Sequence, residues 1–260
     1  MSKTVRHIIN TTSALLLAAA LCVAFIAGVS CRAPLTCKGL NVVISDSLTN
    51  RFVSAEDVRK YIDSEFGEYV GCHIDSIDLR KVEEILDGKS AVLKSEAYTT
   101  PDGMLNIALT QRTPIARFIT QGGGFYADSE GFIFPLQDSY ASRVHVIDGQ
   151  IPVRIGRDFK GWLEEGPQKE WLEKVLEVVR YMEGNRTWKD KIVQINVKEG
   201  GELVLIPREG NEKFHFGQPD AIKEKFERME LYYTSIIPAK GADYYRNVNV
   251  EYDGQIVCKK

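Results

Sequence analysis

The feature that most limits what this chain can fold into is an uncharged run near its start. Between His7 and Cys31 there is no Asp, Glu, Lys or Arg, and Ala14 to Val29 reads ALLLAAALCVAFIAGV. A helix of about 20 residues spans a hydrocarbon core about 30 Å thick. The run therefore predicts a single transmembrane helix over residues 11–31, preceded by a short cytoplasmic tail over residues 1–10. Arg32 marks its far edge, and Pro34 cannot continue a helix. A cleavable signal has an apolar core of only about 7–15 residues and a small-residue cleavage site, and no Ala-x-Ala stands near the end of this run. Gly28-Val29-Ser30-Cys31 outlines a lipoprotein cleavage site but lacks the large aliphatic residue three positions before the cysteine. A lipid on Cys31 is the alternative to a span. Lys3 and Arg6 on one side are balanced by Arg32 and Lys38 on the other, so charge does not set the orientation.

No other apolar run approaches spanning length, and the remainder reads as two folded parts. With 27% charged residues and a net charge of −3, it has neither the basic stripe of a nucleic-acid binder nor the excess charge of a disordered chain. The first part covers residues 39–113. Asn41 to Ile44 reads as a strand. Ser54 followed by Glu56 and Asp57 opens a helix, with Val58, Tyr61, Ile62 and Phe66 at helical spacing and Gly67 and Gly71 closing it and its loop. A second helix begins near Asp78, shows Leu79, Val82, Ile85 and Leu86 on one face, and stops at Gly88. Strands Val92–Thr99 and Met104–Gln111 follow, joined by the turn Pro101-Asp102-Gly103. The order is strand, helix, helix, strand, strand.

The second part, residues 114–260, is richer in strands. Phe125-Tyr126 and Phe132-Ile133-Phe134 flank a turn at Asp128–Gly131, and Arg143–Ile147 alternates as another strand. Pro167 suits the first position of a helix whose apolar face is Leu172, Val175, Leu176, Val179 and Met182, with Gly184 at its end. Lys169, Glu170, Glu173, Lys174 and Glu177 form its solvated face. Ile192–Val197 and Leu203–Ile206 make a hairpin around Glu199-Gly200-Gly201. Pro219 opens a helix carrying Ile222, Phe226, Met229 and Tyr233. Val248, Val250 and Tyr252 alternate before Asp253-Gly254, a two-residue hairpin signal, and a last strand over Gln255–Lys259.

Catalytic chemistry finds no constellation in these residues. His7, His73, His145 and His215 are isolated and read as surface or turn residues. Gly122-Gly123-Gly124 precedes a strand rather than a helix, which makes it a hairpin loop and not a phosphate cradle. Asp128 and Glu130 sit in a turn, where Asp bonds the local backbone. No G-x-S-x-G elbow occurs. Cys22, Cys31, Cys37, Cys72 and Cys258 show no C-x-x-C pair. A disulfide among Cys37, Cys72 and Cys258 is open in an oxidising compartment, and unpaired structural cysteines are the simpler reading. The chain is thus expected to be non-enzymatic, with no cofactor and no metal.

Strand-helix-helix-strand-strand directly after one membrane anchor resembles a POTRA domain. Gln111-Arg112-Thr113-Pro114-Ile115-Ala116-Arg117 resembles the junction that follows POTRA in FtsQ/DivIB cell-division proteins. Phe125 to Leu136 resembles the next hairpin of that family, Val144 to Gly149 its next strand and turn, and Val248 to Gly254 its terminal β hairpin. The detail resembles the Bacteroides-type branch. The resemblance implies an α+β protein: one transmembrane helix, a POTRA domain (β-α-α-β-β), and a mixed β-sheet domain with flanking helices. It implies a single-pass inner-membrane protein at the division site, its C-terminal part periplasmic. Its partners would be FtsB/FtsL-type bitopic division proteins and other divisome components, with no nucleic acid.

In such proteins a partner segment pairs with the last strands, by β-strand addition. The residues this places at the contact are Tyr245, Val248, Val250, Glu251, Tyr252, Gly254 and Val257. Tyr252 and Gly254 match the family's contact hairpin. Glu251 departs from it, since many relatives carry a basic residue there. The bland alternative is that the valines and Tyr252 fill the β core. Another envelope POTRA protein, serving export or outer-membrane assembly, would show several POTRA units or a membrane barrel, and neither is visible.

Overall fold

The structure is a computed structural model that describes residues 12, 15–24, 35–46, 51–138 and 140–260. Residues 15–24 are helical and exposed. The expected tail over 1–10, and the rest of the expected span over 11–31 apart from Thr12, lie outside the described residues. Among the described residues no helix is long and apolar enough to cross a membrane.

Two compact units follow, each drawn from several stretches. The first takes in residues up to Val43, Ala55–Leu86 and Ser95–Ala108, and the second Ile44–Ser54, Asp87–Lys94 and Leu109–Lys260. Strands β1 (Gly39–Ile44), β2 (Val92–Thr99) and β3 (Met104–Gln111) form a three-stranded sheet in the order β1-β3-β2. Helix α1 (Ala55–Tyr61) runs into a wide turn at Ile62–Phe66 that Gly67 ends, and α2 spans Leu79–Asp87. The Asp78 carboxylate accepts from the Lys81 amide at 3.1 Å, the bond of an N-cap. Val58, Ile62, Val82 and Leu86 are buried, as their helical spacing requires, and so are Leu105 and Ile107 of β3. Asn106 is buried as well, against the alternation. Its amide answers the burial: Asn41 Nδ2 donates to its Oδ1 at 3.0 Å, and its own Nδ2 donates to Thr100 Oγ1 at 3.1 Å.

The second unit is built on a nine-stranded mixed sheet. Its strands are β4 (Pro114–Thr120), β5 (Gly123–Asp128), β6 (Ile133–Pro135), β7 (His145–Gly149), β8 (Ile192–Val197), β9 (Leu203–Pro207), β10 (Lys213–Gly217), β11 (Asn247–Asn249) and β12 (Val257–Lys259). Their spatial order is β12-β11-β10-β9-β8-β7-β4-β5-β6. Three neighbour pairs are parallel: β4 with β7, β7 with β8, and β10 with β11. Helices α3 (Pro167–Glu183) and α4 (Ile222–Leu231) supply Trp171, Leu172, Val175, Val179, Met182, Phe226 and Met229 to one core shared with Phe118, Ile147, Ile195, Leu205, Phe214 and Val248. On β8, Ile192 and Ile195 both join this core because a register shift against β9 falls between Ile192 and Gln194. Alternation sends Phe125 into this core and its neighbour Tyr126 away from it. There Phe52, Phe134 and Tyr140 form a second cluster, with Phe52 edge-on to all three other rings at 4.9–5.7 Å.

The glycine run closes the two-residue β4–β5 hairpin, Thr120 opposite Gly123. Gly124 has φ 159°, and a Cβ there would stand 2.4 Å from the Phe118 carbonyl oxygen. The turn at Asp128 also forms as expected, with its Oδ1 accepting from the amides of Glu130 and Phe132. The other carboxylate oxygen takes Arg112 Nη1 at 3.1 Å, and the guanidinium lies 3.4 Å from the centre of the Phe132 ring. That bond ties Arg112 of the junction motif to the first hairpin, and sequence spacing alone does not signal it.

The sequence predicts that Pro219 opens the second helix of this unit, and the structure differs. Helix α4 begins at Ile222 after Ala221, whose φ is 42°. The cause lies in Lys225, which is 2% exposed: its ammonium donates to the Gln218 carbonyl and pairs with Asp220, drawing the preceding residues into a tight loop. His145 also departs from the surface or turn reading. It lies on β7 at 5% exposure.

Candidate functional site

Strand β12 is the last strand of the sheet, so one of its edges has no neighbour among the described residues. The opposite edge is treated differently. On β6, Ile133 exchanges backbone bonds with Gly161, N to O at 2.8 Å and back at 2.9 Å. A free edge carries unpaired N–H and C=O groups and accepts a further strand unless something shields it.

The edge is held from inside. Phe214 and His215 of β10 pair in parallel with Val248 and Asn249, and β11 pairs antiparallel with β12, Val248 opposite Cys258 and Asn249 opposite Val257. His215 Nε2 meets Asn247 Oδ1 at 3.0 Å, and the Val250 amide donates to the His215 carbonyl at 3.0 Å. Val248 and Val250 are fully buried and belong to the core. Their side chains are therefore supports for the edge and not part of its surface.

The connection from β11 to β12 is a seven-residue loop over residues 250–256, not the two-residue hairpin expected at Asp253-Gly254. Asn249 and Arg228 are the physical cause. Asn249 Oδ1 accepts from the Glu251 amide at 2.9 Å and turns the chain out of the sheet. Arg228 of α4 donates from Nε to the Val250 carbonyl at 2.9 Å and pairs through Nη1 with Asp253 at 3.4 Å. Glu251 lies half-buried across Gly217. A Cβ at Gly217, where φ is 70°, would come within 2.6 Å of Glu251 Cγ.

Tyr252 is held out of the core at 51% exposure on this loop, beside exposed Gly254. Val257 is half-buried on the edge strand itself. Tyr245 is half-buried against the core and stands edge-on to Tyr244 at 4.7 Å. Lys260 Nζ lies 4.3 Å from the centre of the Tyr244 ring, and its hydrogen bond and charge lower the phenol's pKa. Of the seven predicted residues, Val257 lies on the edge strand, Tyr252 and Gly254 are exposed on the loop before it, Tyr245 and Glu251 are half-buried against the core and against Gly217 of β10, and Val248 and Val250 are in the core. Tyr244, exposed and adjacent, is a residue that the sequence pattern did not single out.

A polar cluster gathers around buried Glu212, just before β10. Tyr233 donates its phenol to Glu212 Oε1 at 2.7 Å, and Lys191 Nζ stands 3.2 Å from the centre of the Tyr233 ring. Glu212 is 4% exposed. Burial raises the Tyr233 phenol far above its usual range, with the Glu212 bond and charge adding to the shift, while burial lowers Lys191. Among the described residues no group of three or more His, Cys, Asp or Glu is placed to hold a metal ion.

A family model described as FtsQ/DivIB, C-terminal related, matches residues 113–259, which takes in the whole nine-stranded sheet. The chain belongs to that FtsQ/DivIB family. A POTRA-like domain model matches residues 35–110, the segment of the three-stranded sheet. The FtsQ/DivIB match spans the candidate edge, both of its strands included. No curated protein matches the chain as a relative. The family is division-associated and generally non-enzymatic.

Proposed function

We propose that this chain is a non-enzymatic scaffold of the division machinery. In this reading residues 11–31 anchor it in the inner membrane, and its two folded units stand in the periplasm at the division site. An extended segment of an FtsB/FtsL-type protein adds to β12 as a further strand. Backbone bonds then supply affinity, and the pockets around Tyr245, Glu251, Tyr252 and Val257 supply specificity. The observation that carries the reading is the outer edge of β12, which has no neighbour among the described residues, in the strand that follows the loop of exposed Tyr252 and within the FtsQ/DivIB match. Confinement at a membrane raises the effective concentration of both partners, so a short strand of three residues suffices.

The first experiment is depletion of the protein in cells, with membrane staining to score septa. Long filaments without septa support the scaffold role. Normal cell length with a defect in secretion or outer-membrane assembly would sink it in favour of another envelope POTRA protein. The contact is tested by capture of the FtsB/FtsL-type partner on the Tyr252→Ala chain. Unchanged capture by a folded variant removes the terminal edge from the proposal.

A further inference from the structure

Cys37 and Cys72 are neighbours across one end of an isolated antiparallel bridge inside the first unit. Thr36 bridges His73 in antiparallel fashion. The Cys37 amide donates to the Cys72 carbonyl at 2.8 Å, and the Ile74 amide to the Leu35 carbonyl at 2.9 Å. These two bonds bracket the Thr36–His73 pair, and beyond it the pairing is bulged: Cys37 faces both Gly71, whose φ is 84°, and Cys72, whose own amide donates to the Tyr69 carbonyl at 3.3 Å. The Gly71 amide donates to the Cys37 carbonyl at 2.7 Å, so residues 71 and 72 both lie against Cys37. Residues joined by an inter-strand bond such as that from the Cys37 amide to the Cys72 carbonyl stand with Cα atoms about 5.5 Å apart. A disulfide needs about 4.4–6.8 Å. Both thiols are free, and each rests on a nearby carbonyl: Cys37 Sγ 3.6 Å from Gly39 O, Cys72 Sγ 3.6 Å from Glu68 O. Rotation of the side chains is the motion that would join them. Their access differs, Cys37 being 2% exposed and Cys72 open to solvent.

We propose that Cys37 and Cys72 form an oxidisable pair whose disulfide fastens the chain just before β1 to the loop between the two helices of the first unit. The oxidant is an incoming disulfide, small or protein-borne. Exposed Cys72 loses its proton to solvent, and its thiolate attacks one sulfur of that disulfide. The S–S bond breaks, its other sulfur leaves as a thiolate, and a mixed disulfide remains on Cys72. The Cys37 thiolate then attacks the Cys72 sulfur and expels the second thiolate. Two cysteine thiols are oxidised, and one disulfide is reduced to two thiols. The product closes residues 37–72 into a loop and restricts the unfolded chain. The geometry stands apart from the scaffold reading. An oxidising compartment is needed only for the bond to persist in cells.

The test uses the full chain, purified reduced and incubated with oxidised glutathione, followed by alkylation and peptide mapping without reductant. The expected product is a Cys37–Cys72 linked peptide that reduction separates, with a rise in Tm of roughly 5–15 °C on oxidation. Cys72→Ser, at an exposed position, removes both the link and the rise while leaving the reduced Tm in place. Glutathione retained on Cys72 with Cys37 still open to alkylation overturns the pairing. So does a link from either residue to another cysteine or to a second chain. A Cys37–Cys72 link with no rise in Tm overturns the fastening.

Discussion

His145 shows what one buried residue can impose. Its Nε2 lies 3.1 Å from Glu183 Oε1 without the alignment of a hydrogen bond, and its side chain is 4% exposed. Burial lowers its pKa, and the opposing pull of Glu183 does not restore it. The unfolded chain, with an ordinary histidine value of about 6.5, then binds the proton more readily than the folded one. Stability is therefore complete above about pH 6.5 and falls as pH drops from there toward the lower folded value. Thermal melts from pH 7.5 to 5.0 are expected to show a downward slope in Tm that His145→Gln flattens, and an equal slope in the variant would refute the assignment. Tyr233 carries a second residue-scale prediction. Tyr233→Phe takes the donor from Glu212, a buried carboxylate, and is expected to cost about 1–3 kcal/mol in urea denaturation.

At the scale of elements, β11 and the loop after it divide their residues between support and contact. Val248 is fully buried, so Val248→Ala is expected to destabilise the fold by about 2 kcal/mol through lost burial and a cavity. Tyr252 is half exposed, so Tyr252→Ala is expected to leave stability within about 0.5 kcal/mol while weakening partner capture. A denaturation curve and a binding isotherm on both variants separate the two roles. If Tyr252→Ala unfolds the chain as readily as Val248→Ala does, the loop is part of the core.

At the scale of the whole molecule, the nine-stranded unit recruits residues far from it in sequence. Phe52 stands on the segment after β1, yet its ring is 4% exposed among Tyr126, Phe134 and Tyr140. Gln111 Oε1 accepts from the Val53 amide at 2.8 Å and holds the same segment. Phe52→Ala in the full chain is expected to cost about 3–5 kcal/mol, read as a lower urea midpoint with an unchanged slope. A chain that begins at Pro114 is expected to melt below the full chain, because it lacks Phe52 altogether.

Periodicity in the sequence determined the elements that are long and one-sided. Strands Val92–Thr99 and Met104–Gln111 and helix Pro167–Glu183 form with the bounds their patterns predict, because burial of one face must repeat at the period of the backbone. The same patterns placed alternating valines at the end of the chain but not the direction they face. Val248 points into the core because it pairs in register with Phe214, a core residue of β10, and Val250 follows two residues on, whereas Tyr252 points out because Asn249 and Arg228 lift the chain off the sheet after Val250. The parallel pairing of β10 with β11, the inward turn of His145 and the approach of Cys37 to Cys72 join residues far apart in sequence. Local propensity carries no term for such pairs, so only the tertiary structure decided which strand became the free edge.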